Sequence, residues 1–104
     1  MAAKSIVVTE KTRKILKILT GESRLDVAIS LVIKQLIQFR MEATQARITA
    51  FEQKYGMSFT DFEEACKTGK LENSHLYEVE KDNWEWDVAI VEMEDLTKYE
   101  RQIS

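Results

Sequence analysis

The residues able to do covalent or acid–base chemistry are few. His75 is the only histidine and Cys66 the only cysteine. Catalysis by either would need a base or nucleophile and an orienting group brought together, and neither residue has such a neighbour in sequence. His75, near a helix start, reads as a surface or capping residue, and Cys66 as a small buried thiol. A single cysteine excludes an intramolecular disulfide and fits a reducing compartment. Carboxylates are plentiful, with 18 Asp and Glu, but none forms a pair distinct from the general acidity. No metal-ligand spacing and no Gly-rich phosphate loop is present. These residues point away from an enzyme, a metal site or a cofactor, and toward binding.

The chemistry of recognition is better represented, and it is divided along the chain. From Met1 to Gly56 there are ten Lys/Arg against five Asp/Glu, a net of +5; from Met57 to Ser104 there are five against thirteen, a net of −8. The overall charge of −3 and pI near 5.2 hide that division. It implies one anionic and one cationic partner. The plainer alternative is two solvated faces that attract each other or neighbouring copies. Trp84 and Trp86 stand in the acidic half among Glu78, Glu80, Asp82, Glu85, Asp87, Glu92, Glu94 and Asp95. Aromatic anchors ringed by charge are typical of interface hot spots. A spacing of two places one tryptophan toward a core and the other toward a partner; both in the core is the alternative. With Ile90 and Met93 they are the candidate partner-binding residues, and the acidic surroundings would speed encounter with a basic protein.

Those residues need elements to position them. At 104 residues, 44% hydrophobic and 32% charged, the chain is one folded domain, or a small domain with an appendage. The absence of Pro and the presence of only three Gly favour long helices, which bury little on a short chain and predict a homo-oligomer, a dimer or a higher even assembly. There is no signal-peptide core and no apolar run near ~18 residues, so a soluble cytoplasmic protein is expected. Ile6-Val7-Val8 is a β-branched run that favours a short strand, which needs a partner strand, most simply from a second copy. Thr9 can cap a first helix carrying Thr12, Ile15, Leu16 and Leu19, with Gly21 ending it. Ser23, with Asp26 three residues on, can cap a second. From Arg24 to Tyr55 neither Gly nor Pro occurs, which predicts a continuous helix of about thirty residues, ~45 Å long. Ile37, Met41, Thr44, Ile48, Phe51 and Tyr55 step by four and three, a coiled-coil-like seam. Leu25 to Ile37 is apolar over a wider arc and is expected in a core. Gly56 ends the long helix, Ser58 and Asp61 restart a short one, and Gly69 closes it. Asn73-Ser74 offers a cap for a last segment from His75 to Ile103. Trp84, Trp86, Val88 and Ile90 alternate like a strand, but length and composition favour helix.

The order strand, short helix, Gly21-Glu22-Ser23 turn and longer helix, with Ile6 and Val8 in the strand and Ile15 and Leu19 in the first helix, resembles the ribbon-helix-helix family of DNA-binding repressors, which includes many antitoxins of prokaryotic toxin–antitoxin modules. The likeness covers about residues 4 to 38. It implies a mainly α fold in which two chains pair their short strands into an antiparallel ribbon that enters the DNA major groove. Ser5, Val7 and Thr9 would then face the bases, and Lys4, Lys11, Arg13 and Lys14 the phosphates, with the amides near Ser23 forming a phosphate seat. Family ribbons often present Arg, Lys, Asn or Gln, whereas this one offers small residues and Val7, and Glu22 lies beside the seat. These departures from the family pattern imply either modest sequence specificity or a loss of DNA binding.

Tyr55-Gly56-Met57-Ser58, Phe62, Gly69, Leu71 and Tyr77 to Asp82 with Trp84-Glu85-Trp86 look like the C-terminal part of small prokaryotic antitoxin-like proteins, usually encoded beside a toxin. Together the two likenesses imply a DNA-binding unit over residues 1–38 and a helical, acidic, toxin-binding extension over residues 39–104. The implied function is an antitoxin that represses its own promoter and neutralises a basic toxin. The alternatives are a helical oligomerisation protein without DNA binding and a stand-alone transcriptional repressor.

Overall fold

In the computed structural model, which describes residues 7–71 and 76–103, four helices follow one another and no strand occurs among those residues. They are α1 (Glu10–Thr20), α2 (Leu25–Tyr55), α3 (Phe59–Thr68) and α4 (Tyr77–Ile103). The expected strand is not seen. Ile6 lies outside the described residues, and Val7 and Val8 carry no strand pairing. The physical reason is that a short strand needs an edge for its amides and carbonyls, and four helices supply none.

The helix boundaries follow from local chemistry. Thr9 has extended backbone, and its hydroxyl oxygen accepts from the Thr12 N–H at 3.1 Å, the expected cap of α1. At the other end the Thr20 hydroxyl donates to the Leu16 carbonyl and accepts from the Glu22 N–H. Ser58 caps α3 by accepting from the Asp61 N–H at 3.2 Å. The cap expected of Ser23 is corrected: Arg24 occupies the cap position without a side-chain cap bond, and its guanidinium pairs with Asp26 at 3.1 Å. Helix α2 thus starts one residue later than a Ser23–Asp26 box requires, and the carboxylate of that box is taken by Arg24.

At 31 residues, α2 is about 46 Å of unbroken helix, most of the molecule's 58 Å longest extent. It passes through residues 38 and 39 without interruption, so the two expected units share one helix. Helix α4 returns antiparallel along it: Tyr55 meets Asp82 at one end, and Ile33 and Ile37 meet Tyr99 and Ile103 at the other. The segment around Trp84–Val88 is helical. Among the α2 residues of the expected seam, Ile37, Thr44 and Ile48 are buried and Met41, Phe51 and Tyr55 half-buried, so α4 covers that seam.

The core is concentrated where α3 closes the α2–α4 pair. Trp86, 0% exposed, stands at its centre with ring-centroid distances of 5.5 Å to Phe51, 6.0 Å to Tyr55, 5.2 Å to Phe59 and 5.1 Å to Phe62. The indole N–H is buried without a hydrogen-bond partner among the described residues. Leaving a donor unpaired costs ~1–3 kcal/mol. Burying an indole of about 150–250 Å² at ~25 cal/mol/Å² stabilises by roughly 4–6 kcal/mol, so packing wins.

The other half of α2 departs from expectation. Leu25 to Ile37 was expected in a core, yet only Ala28 and Ile37 are buried there, while Leu31, Val32, Ile33 and Leu36 are exposed. The eleven residues of α1 cover one side of α2 and leave the next side open.

Candidate binding surfaces

Helix α4 sorts its residues by direction. Trp86 is buried and Ile90 and Met93 are half-buried on the side packed against α2 and α3, so three of the four residues expected to bind a partner belong to the internal packing of this chain. Trp84, two residues from Trp86 and therefore about half a turn around the helix, is 67% exposed. It is joined on the outer side by Tyr77, Val88 and Val91, all exposed, in steps of seven, four and three. Glu80, Asp87 and Glu94, also exposed, flank this line on one side together with Lys98, Lys81 flanks it on the other, and Asp95 continues it. The division of the two tryptophans between core and surface thus holds, with Trp84 as the outward member.

Part of the charge division is consumed inside the molecule. Lys54 Nζ lies 2.6 Å from Asp82 Oδ2 and 2.9 Å from Glu78 Oε1, and the Tyr55 hydroxyl donates to the same Asp82 oxygen at 2.6 Å. Arg40 pairs with Glu92 further along. Each of these contacts joins basic α2 to acidic α4. Burial raises the Asp82 pKa, but the hydrogen bonds from Lys54 and Tyr55 outweigh it and hold the carboxyl below the usual range. Hydrogen bonds to Asp82 and then Glu78 hold the Lys54 ammonium above its ordinary range. Burial, followed by the bond to Asp82, pushes Tyr55 up to about 12. Glu78, Asp82 and Glu92, counted in the sequence among the acids facing a partner, therefore serve the α2–α4 contact. Glu78 and Asp82 are four apart and share a side of α4, which is the one sequence signal of this latch; its basic partner at the far end of α2 has no local signal.

Those of the residues expected to meet DNA that the structure describes lie toward the opposite end. Lys4 and Ser5 lie outside the described residues. Val7, Lys11, Arg13, Lys14 and Ser23 are exposed. Thr9 is exposed as well, though its hydroxyl is engaged with Thr12. On α1, Lys11 and Lys14 share a side with Ile15 and Ile18, three or four residues apart, while Arg13 and Lys17 lie on the opposite side. Ile15, Ile18 and Leu19 are themselves exposed, Ile18 by 81%. Beside them on α2 runs a second line, Leu25, Ile29, Val32, Leu36 and Phe39, again in steps of four and three. It is displaced by about a third of a turn from the seam that α4 covers. Leu25 and Ile29 are half-buried, Val32 and Leu36 exposed, and Phe39 67% exposed. Leu19, Thr20, Leu31, Val32 and Gln35 line the groove between the two helices. The apolar character of this stretch is legible in the sequence but its exposure among the described residues is not, because periodicity shows which residues share a face and not what that face meets.

Cys66 is half-buried in α3, and burial, then Glu63, pushes its thiol up, the opposite of an activated nucleophile. No helix among the described residues is long and apolar enough to cross a membrane. Comparison of the chain with family models, with curated proteins and with solved structures finds no match in any of the three.

Proposed function

We propose that the chain is an antitoxin: its α1 end pairs with a second copy and binds the promoter of its own operon, and its acidic α4 side neutralises a basic toxin. The observation that carries this reading is the uncovered apolar surface of α1 and the first half of α2. A patch of this kind marks an interaction site, and it adjoins Lys11, Arg13 and Lys14. Covering it with a second copy would bring two basic ends together, the arrangement a two-fold DNA site requires. The resemblance of residues 4 to 38 to ribbon-helix-helix repressors adds the strand pairing that this reading places before α1.

The test has two limbs. A duplex taken from upstream of the gene is expected to be retarded by the chain in a gel shift, with affinity falling linearly in log salt. Lys11→Ala with Lys14→Ala should weaken binding and reduce that slope by about one per lost phosphate contact. Unchanged affinity and slope in the double variant would remove the DNA-binding limb. Co-expression with the adjacent reading frame should give a complex that co-purifies and relieves growth arrest. If promoter binding holds and the neighbour neither co-purifies nor is neutralised, the protein is a stand-alone repressor.

A further inference from the structure

We infer that the outer side of α4 is a docking surface for a basic amphipathic helix of another protein, anchored on Trp84 and Val88. Tyr77, Trp84, Val88 and Val91 form an apolar line that stays exposed among the described residues, at the 3.5-residue repeat by which one helix accepts another. A surface indole in such a line has the composition of a hot spot. The flanking charges choose the occupant. Glu80, Asp87 and Glu94 border the line on one side and Asp95 continues it, and none of the four takes part in an ion pair among the described residues. Lys98 lies on the same side and Lys81, paired with Glu85, on the other, so the surface stays net acidic. A second α4 laid on this line would oppose four unpaired carboxylates with their own copies and offer only Lys98 as an unpaired cation beside them, whereas a helix with Lys or Arg along both sides of its apolar seam would neutralise them. The occupant is therefore a basic partner and not another copy of the chain. This deepens the antitoxin reading by locating the partner surface and naming its chemistry; it rests on that reading only for the partner's biological role.

Two synthetic helical peptides of about four heptads test it, sharing a Leu/Ile seam but flanked by Lys in one and Glu in the other. Binding to the full chain is followed by titration calorimetry. The Lys peptide is expected to bind one to one and to weaken at about 0.5 M salt. The Glu peptide should not bind. Trp84→Ala should weaken the Lys peptide by about tenfold or more. Asp87→Lys with Glu94→Lys should reverse the preference between the peptides. Both sites are exposed, so helix content and denaturation midpoint should stay unchanged and serve as the folding control.

Equal binding of both peptides, no binding of the Lys peptide, or indifference to the Trp84 and charge-reversal variants would each overturn the assignment. So would a self-associated form whose sedimenting mass falls on Trp84→Ala. The two readings fail separately. If the adjacent gene's product co-purifies equally well with Trp84→Ala, the α4 surface is lost and the antitoxin reading stands. If the Lys peptide behaves as described and no neighbour product binds, the antitoxin reading is lost and the surface stands.

Discussion

Asp82 shows how a single carboxylate can hold two helices at a defined register. It receives Lys54 and Tyr55 from the end of α2, is buried, and has a depressed pKa. A carboxyl whose pKa is lower folded than unfolded adds stability that is complete above the unfolded value of about 3.9 and disappears as pH falls through the folded one. Lys54 and Tyr55 are shifted upward, so their contribution is complete below about pH 10 and is lost as pH rises through their folded values. Urea unfolding followed by circular dichroism should therefore give a midpoint that falls on the acid side below about pH 4 and on the alkaline side above about pH 10. Asp82→Asn should lower stability near neutrality by roughly 1 kcal/mol and flatten the acid limb. An acid limb of the same size in Asp82→Asn would show that another carboxylate produces it. At this scale the sequence was informative about direction but not about partners. The spacing of Trp84 and Trp86 announced one inward and one outward ring, but which was which depends on Phe51, Tyr55, Phe59 and Phe62, contributed by α2 and α3.

Among the elements, α2 was the most legible, because thirty-odd residues without Gly or Pro leave the backbone little alternative to helix. Its stop is equally local: Gly56 takes φ of 66°, and its N–H bonds to the Glu52 carbonyl at 2.7 Å. A Cβ built on Gly56 would meet nothing within 4 Å, so the cost of adding one is conformational and not steric crowding. Gly56→Ala should destabilise the chain by about 1 kcal/mol in denaturant titration, with an unchanged m-value. A rise in midpoint would mean that the left-handed turn into α3 is not required. The α2 seam that α4 covers was also legible, since Ile37, Thr44 and Ile48 all became buried. The N-terminal cap was not: Ser23 and Asp26 have the right spacing, but Arg24 competes for the carboxylate, and such competition has no periodic signature. Helix α4 was recoverable from composition although Trp84 to Ile90 alternates like a strand, because 27 residues exceed any ordinary strand.

Taken whole, the molecule is an elongated body of 58 × 32 × 21 Å with an aromatic core toward one end and an uncovered apolar surface toward the other. Acidic α4 lies alongside α2 from Ile33 to Tyr55 and is tied to it by Lys54 and Arg40, so the charge division is not simply one end against the other. Two apolar surfaces stay exposed among the described residues, one at the α1 end beside Lys11 and Lys14 and one along Tyr77, Trp84, Val88 and Val91 on the acidic outer side of α4. That separation makes oligomerisation testable independently of the acidic helix. Ile15, Ile18, Leu19, Val32, Leu36 and Phe39 carry much of the exposed apolar area, and the proposed coverage by a second copy should be abolished by charge placed within the patch. Ile18→Glu with Leu36→Glu is expected to shift the sedimenting species from dimer to monomer and to abolish promoter retardation. The aromatic core lies elsewhere, so the folded helix content of the monomer should persist. Because both sites are already exposed, the variant chain by itself should unfold within about 0.5 kcal/mol of a parent monomer, whereas the parent dimer's midpoint should rise with protein concentration. A parent chain that sediments as a monomer at all concentrations, or a double variant that remains dimeric, would show that this surface does not join two copies.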